Sequence, residues 1–176
     1  MSARRLMVRK SLLALVLAYL RHGITDTSDF NSATSFPTDQ EVWSFALDTD
    51  LFLVRTSETG QTPLSPGVTI EFESDRAEPS RAMPQVWTTN IRFRVRIPWD
   101  YGGESQAQEI AQKIDEALHQ AHGRVEVKDF STTPPTGTST YLQWNTESRG
   151  EWKQAGRDAM TDLILEMEAK YSTPDL

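Results

Sequence analysis

The chain has no cysteine, which removes disulfides, thiolate metal ligands and cysteine nucleophiles together. It is also short of positive charge. Eighteen Lys and Arg stand against 25 Asp and Glu, and a net charge of -7 has the wrong sign for a protein whose affinity comes from neutralising phosphates. Apolar runs of membrane-spanning length are missing as well. The run Leu12–Leu20 has nine residues, against the roughly 20 that a bilayer requires. Basic residues flank that run on both sides and no small-x-small cleavage site follows it, so a buried amphipathic helix is expected in place of a secretory signal, with the protein cytoplasmic at synthesis. No Gly-x-Ser-x-Gly elbow, P-loop or Gly-x-Gly-x-x-Gly occurs. What is there, 38% hydrophobic and 24% charged residues over 176 positions, is the composition of a soluble globular domain long enough to bury its own core.

Periodicity sets out the elements. A helix is expected over Ala3–Arg21, with Leu13, Leu17 and Leu20 on one face, apolar residues spread round both sides, and Gly23 as its stop. Residues 24–40, rich in Ser, Thr, Asp and Asn, read as a loop. In "EVWSFALDTDLFLVR" Trp43, Phe45 and Leu47 alternate before an Asp-Thr-Asp turn and Leu51–Val54, the pattern of a β-hairpin. A Pro- and Gly-bearing loop follows over 56–67. "VTIEFES" then sets Val68, Ile70 and Phe72 against Thr69, Glu71 and Glu73, and the next strand sets Phe93, Val95, Ile97 and Trp99 against Arg92, Arg94 and Arg96. These two read as an antiparallel pair with one face on a core. Gly102-Gly103 turns the chain into a helix from Glu104 to about Ala121, with Ala107, Ile110, Ala111, Ile114, Ala117, Leu118 and Ala121 on one stripe. "RVEVKDF" is a strand with Val125 and Val127 inward, "STTPPTGTS" a flexible connector, and "TYLQWN" a strand with Leu142 and Trp144 on one face. The closing "DAMTDLILEMEAKY" fits a helix through Met160, Leu163, Ile164, Met167 and Tyr171, or a strand through Leu163, Leu165, Met167, Ala169 and Tyr171. Propensity favours the helix.

Two groups of residues invite a chemical reading. Arg92, Arg94 and Arg96 on one strand face suit phosphate contacts, yet Glu71 and Glu73 lie on the neighbouring strand's polar face and suit cross-strand or inter-subunit ion pairs. The acidic balance favours the second reading. "DYGGES" places Asp100 and Glu104 where a phosphate at the Gly turn would be repelled. Glu116, His119 and His122 share a helix end at metal-ligand types, but the histidines are three apart, not four as in His-Glu-x-x-His. His22 is expected near the carbonyls that end the first helix. Asp115 and Glu116, adjacent on a helix, point apart and read as solvated. No catalytic, metal or cofactor residue is assigned.

The order helix, loop, strand pair, turn, helix, strand, strand, together with "PGVTIEFES", "IRFRVRIPWDYGGESQAQEIAQKIDEAL" and "GEWKQAGRDAMTDLILEMEAKY", resembles the tail terminator (tail completion) proteins of long-tailed bacteriophages. The resemblance covers about Arg5–Arg21 and Gly67–Tyr171, and the hairpin at about 41–55 departs from it as an insertion. It implies an α/β (α+β) fold: one domain spanning 1–176, a mixed or mostly antiparallel sheet with two main helices packed on it, and long loops. It implies that the tail from Asp158 to Tyr171 is a strand against its propensity. It further implies a non-enzymatic virion protein of the neck, made in the host cytoplasm, that forms a homo-hexameric ring on the tail tube, stops tube polymerisation, and offers a surface to the head-tail connector, with no cofactor. DNA would pass its lumen without specific binding, which an acidic protein suits. Other readings are another head-tail connector or head completion subunit, or a small α/β domain that binds an anionic ligand through Arg92, Arg94 and Arg96.

Overall fold

A helix that is apolar nearly all round needs cover on every side, and the fold is built to supply it. The computed structural model describes residues 3–23, 41–47, 50–57, 67–73, 75–78, 85–129, 132, 135–147, 150–155 and 160–173, with the side chains of 3–6, 17, 21, 22, 41–57, 101 and 173 left out. The loop read at 24–40, the alternation of Trp43, Phe45 and Leu47, the side chains of Leu17 and His22, and the start of the tail at Asp158 lie outside these; of the loop read at 56–67, residues 58–66 lie outside them, while 56–57 and 67 belong to strands. Helix α1 runs Ala3–His22, and Gly23, at φ 64°, returns its N–H to the Tyr19 carbonyl at 2.7 Å. Every described side chain from Val8 to Leu20 is buried, including Arg9, Lys10 and Ser11.

The chain forms β1 (Glu41–Leu47), β2 (Asp50–Ser57), β3 (Gly67–Phe72), the two-residue β4 (Arg76–Ala77) and β5 (Gln85–Pro98). Helix α2 (Gly103–Gln120), β6 (Arg124–Asp129), β7 (Thr136–Trp144), the short β8 (Lys153–Gln154) and β9 (Met160–Thr173) follow. One sheet takes them in the order β1-β2-β3-β5-β9-β7-β6, with β4 on β5 and β8 on β9. All pairs are antiparallel except β2 with β3, so this is a mixed α+β domain. The hairpin read at 41–55 is present as β1 and β2. Helix α1 packs on α2 and on β6, and at the other end of the sheet it touches β1 and β2, so the sheet curls round it.

The core lies between the helices and one face of this sheet. Val68 and Ile70 sit opposite Val95 and Phe93, and Phe93 and Val95 sit opposite Leu165 and Leu163. Ile110, Ile114 and Leu118 of α2 close over them, all fully buried. On the exposed flank of β6, the Ser11 hydroxyl accepts the Lys128 backbone N–H at 3.0 Å and donates to the Met7 carbonyl at 2.8 Å. Helix α1 thus satisfies an edge-strand donor beside the bulge at Val127/Lys128.

Three expectations need correction, and the open choice at the tail is decided. β3 was read as half-buried, but all six of its residues are buried, Thr69 and Glu71 among them. Trp99 does not continue the inward row of β5. Pro98 has no N–H to extend the ladder, the chain enters a 3-10 turn over Trp99–Tyr101, and Trp99 emerges 65% exposed. Gly102 and Gly103 follow at φ 96° and 51°, a pair of left-handed positions that favours glycine. The connector read over 131–139 is strand from Thr136 onward, paired to β6 through Asp129↔Thr136 and Lys128↔Gly137. The tail is a strand, as the resemblance implied and propensity did not. Leu163, Leu165, Met167, Ala169 and Tyr171 are buried, while Ile164, which a helix would have turned inward, is half-exposed. The long open edge of β5 offers ladder bonds and period-two burial that outweigh helical propensity.

The helices are tied by Tyr19, whose hydroxyl donates to Glu116 Oε2 at 2.8 Å, while Gln112 donates to Glu116 Oε1 at 3.0 Å. The tyrosine hydrogen bond, then that from Gln112, holds the Glu116 carboxyl below its ordinary 4.5. The same bond to Glu116, with burial, raises Tyr19 above 10.0. A depressed carboxyl stabilises the fold above its unfolded value and loses that as pH falls; a raised tyrosine stabilises below its unfolded value and loses that as pH rises. Tyr19→Phe is therefore expected to lower stability most between pH 4.5 and 10, with the gap to wild type narrowing on both sides. Urea denaturation across that pH series checks this, and a gap constant with pH would count against the bond.

Candidate functional site: the charged face of the sheet

The pleat that sends Phe93, Val95 and Ile97 into the core sends Arg92, Arg94 and Arg96 to the opposite face of β5. Their neighbours on that face come from both flanking strands. From β3, Glu71 sits in register with Arg92; from β9, Glu166 and Asp162 sit in register with Arg92 and Arg96. Arg92 and Arg96 thus have carboxylates directly across the strand, while Arg94, in register with Thr69 and Ile164, reaches them diagonally.

The contacts form one alternating series. Arg92 donates from Nε to Glu166 Oε1 at 2.8 Å, from Nη1 to Glu71 Oε2 at 3.4 Å, and from Nη2 to Glu73 Oε1 at 3.3 Å. Arg94 Nε lies 4.0 Å from Glu71 Oε1 and 3.9 Å from Asp162 Oδ1. Arg96 Nη2 donates to Asp162 Oδ2 at 3.0 Å. Read across the face, Glu166, Arg92, Glu71, Arg94, Asp162 and Arg96 alternate in sign without a break. The Glu166 hydrogen bond, with the charges of Glu166, Glu71 and Glu73 behind it, outweighs partial burial and pushes the Arg92 guanidinium above its ordinary range.

The two bridging carboxylates are the buried ones. The side chains of Glu71 and Asp162 are 5% and 6% exposed, against 57% for Glu166. An anionic ligand aimed at these arginines would have to displace carboxylates that already neutralise them, two of which are out of water. The face is thus arranged to hold strands in register and to present paired charge, and it leaves little attraction for phosphate.

The structure brings Glu71, Glu73, Arg92, Arg94 and Arg96 together and adds two residues that sequence reasoning did not pick out, Asp162 and Glu166. The signal for them was the alternation Asp162, Ile164, Glu166, Glu168, Lys170 in the tail, legible only with that segment read as a strand. The helix-end group is placed otherwise. Glu116 is taken by Tyr19 and Gln112, His119 is exposed, and His122 lies past the helix end, exposed at φ 54°. Among the described residues, no three His, Asp or Glu come together in a metal-binding group, and no helix is long and apolar enough to cross a membrane. No family model and no curated protein sequence matches this chain.

The ladder makes its own forecast. Asp162→Ala leaves Arg94 and Arg96 without the carboxylate between them and is expected to cost roughly 3 kcal/mol. Glu166→Ala removes an exposed partner from an arginine that keeps Glu71 and Glu73, and should cost under about 1 kcal/mol. Equal losses for the two in equilibrium denaturation would contradict the burial argument.

Proposed function

We propose that this chain is a structural protein of the neck of a long-tailed bacteriophage, a tail terminator. In this reading it closes into a homo-hexameric ring on the last ring of tail-tube subunits, stops tube growth and provides the surface to which the head-tail connector attaches, without catalysis. The observation that carries the reading is β9. The resemblance to tail terminators required a strand where propensity favours a helix, and Met160–Thr173 is an interior strand of the sheet, between β5 and β7. The strand-turn-helix unit Gln85–Gln120, in which the resemblance is densest, supports it further: a fourteen-residue strand, a paired-glycine turn and a helix laid back on the same sheet.

The chemistry is consistent with assembly. A ring subunit needs two different faces that close on one another, and a rigid sheet with its charges paired internally presents a defined surface without strong attraction for the DNA passing by. Size-exclusion chromatography with light scattering is expected to give a hexamer of the 19.9 kDa chain, alone or on addition of tail-tube protein, and electron microscopy of virions to place one such ring between tube and connector. A strict monomer that ignores tail tubes would overturn the proposal.

A further inference from the structure

Beside the ladder, the charged face carries a groove of about 710 Å³, bounded on one side by β5 and β9 and on the other by the segment 150–155. Its size is that of a site for several side chains. β7 and β8 pair with the same edge of β9, through Trp144↔Ala169 and Lys153↔Ile164, and between these pairings Gly150 lies close to the Glu166 backbone carbonyl, so that 150–155 form one wall of the groove. The groove is thus a product of backbone pairing.

We infer that this groove receives an extended, lysine- or arginine-bearing segment of a partner protein. The inference rests on the groove and stands whether or not the neck reading holds. The carboxylates of the groove are not equivalent. Glu73 and Glu166 are engaged by Arg92, which also holds Glu71. Glu151 and Glu168 are exposed and stand outside the Arg92 cluster; Lys170, whose ammonium is bonded to Glu78, reaches Glu168 only through its charge. Lys153 is the one other cation of the lining, so negative charge remains in excess. An anion is therefore disfavoured on both counts, since Arg92 is occupied and the rim repels it.

The apolar part of the lining narrows the partner further. Ile164 is the half-buried aliphatic residue on the otherwise charged face of β9, and Ala155 adds a methyl group from the other wall. Lysine and arginine are the side chains that lay an aliphatic stem on such a surface and set a cation among carboxylates. Ile164, Glu166 and Glu168 project at alternate positions of a strand, a spacing of roughly 7 Å that matches alternate residues of an extended segment. A helical ligand would not match that spacing.

A fluorescein-labelled hexa-arginine peptide, titrated at physiological salt and read by anisotropy, tests this. Saturable binding is expected, weakened about tenfold in Glu151→Gln/Glu168→Gln, which removes two ion pairs. The control Glu104→Gln/Glu109→Gln removes the same charge from the exposed face of α2 and is expected to change binding less than twofold. Ala155→Trp, which fills the groove and leaves charge untouched, is expected to abolish binding. Circular dichroism checks that each variant is folded. The inference fails if wild type shows no saturable binding, if the two charge variants weaken equally, or if a folded Ala155→Trp binds as wild type does.

Discussion

The pairing of β5 with β9 is the contact on which the rest depends. Each strand has fourteen residues, and they run antiparallel in unbroken register from Gln85↔Thr173 to Pro98↔Met160. That single ladder makes two surfaces, because the pleat assigns alternate residues to opposite faces. On one face Ile91, Phe93 and Val95 meet Met167, Leu165 and Leu163 under the helices; on the other Arg92 and Arg96 meet Glu166 and Asp162. Core and charge are settled by the same hydrogen bonds.

The ladder of charges then acts back on the pairing. A slip of one residue between β5 and β9 would turn Leu163 and Leu165 toward the arginines and bring acids into the core. Buried carboxylates such as Glu71 and Asp162 add little net stability compared with an apolar core, since desolvation offsets much of their attraction. What they add is discrimination: in the wrong register their cost is uncompensated. This accounts for why a face turned away from both helices keeps four carboxylates and three arginines in contact.

Much of this was legible. The α2 stripe from Ala107 to Leu118 predicted a helix and its buried face, because periodicity near 3.6 over about three turns has no competing explanation. Gly23 and Gly102-Gly103 marked their turns for the conformational freedom that their positive φ values require. The antiparallel partnership of β3 and β5, and with it the meeting of Glu71 and Arg92, followed from two alternating segments joined by a loop. The extension of β7 back to Thr136, the outward turn of Trp99 and the burial of Thr69 did not follow, since each depends on a neighbour distant in sequence and not on the residue's own type.

The sequence by itself determined which residues are apolar and at what period, where glycine and proline break the chain, and that the charges of 68–97 would separate onto one face. It left the tail undecided between helix and strand, because Met160–Tyr171 satisfies both periods. Tertiary structure decided that, and with it the sites. Only when β9 lies against β5 do Asp162 and Glu166 reach the arginines, and only when β7 and β8 share one edge of β9 does a groove open beside them. The physical reason is that a strand has no internal hydrogen bonds to complete it. Its identity, its register and the partners of its side chains are all set by the strands it finds.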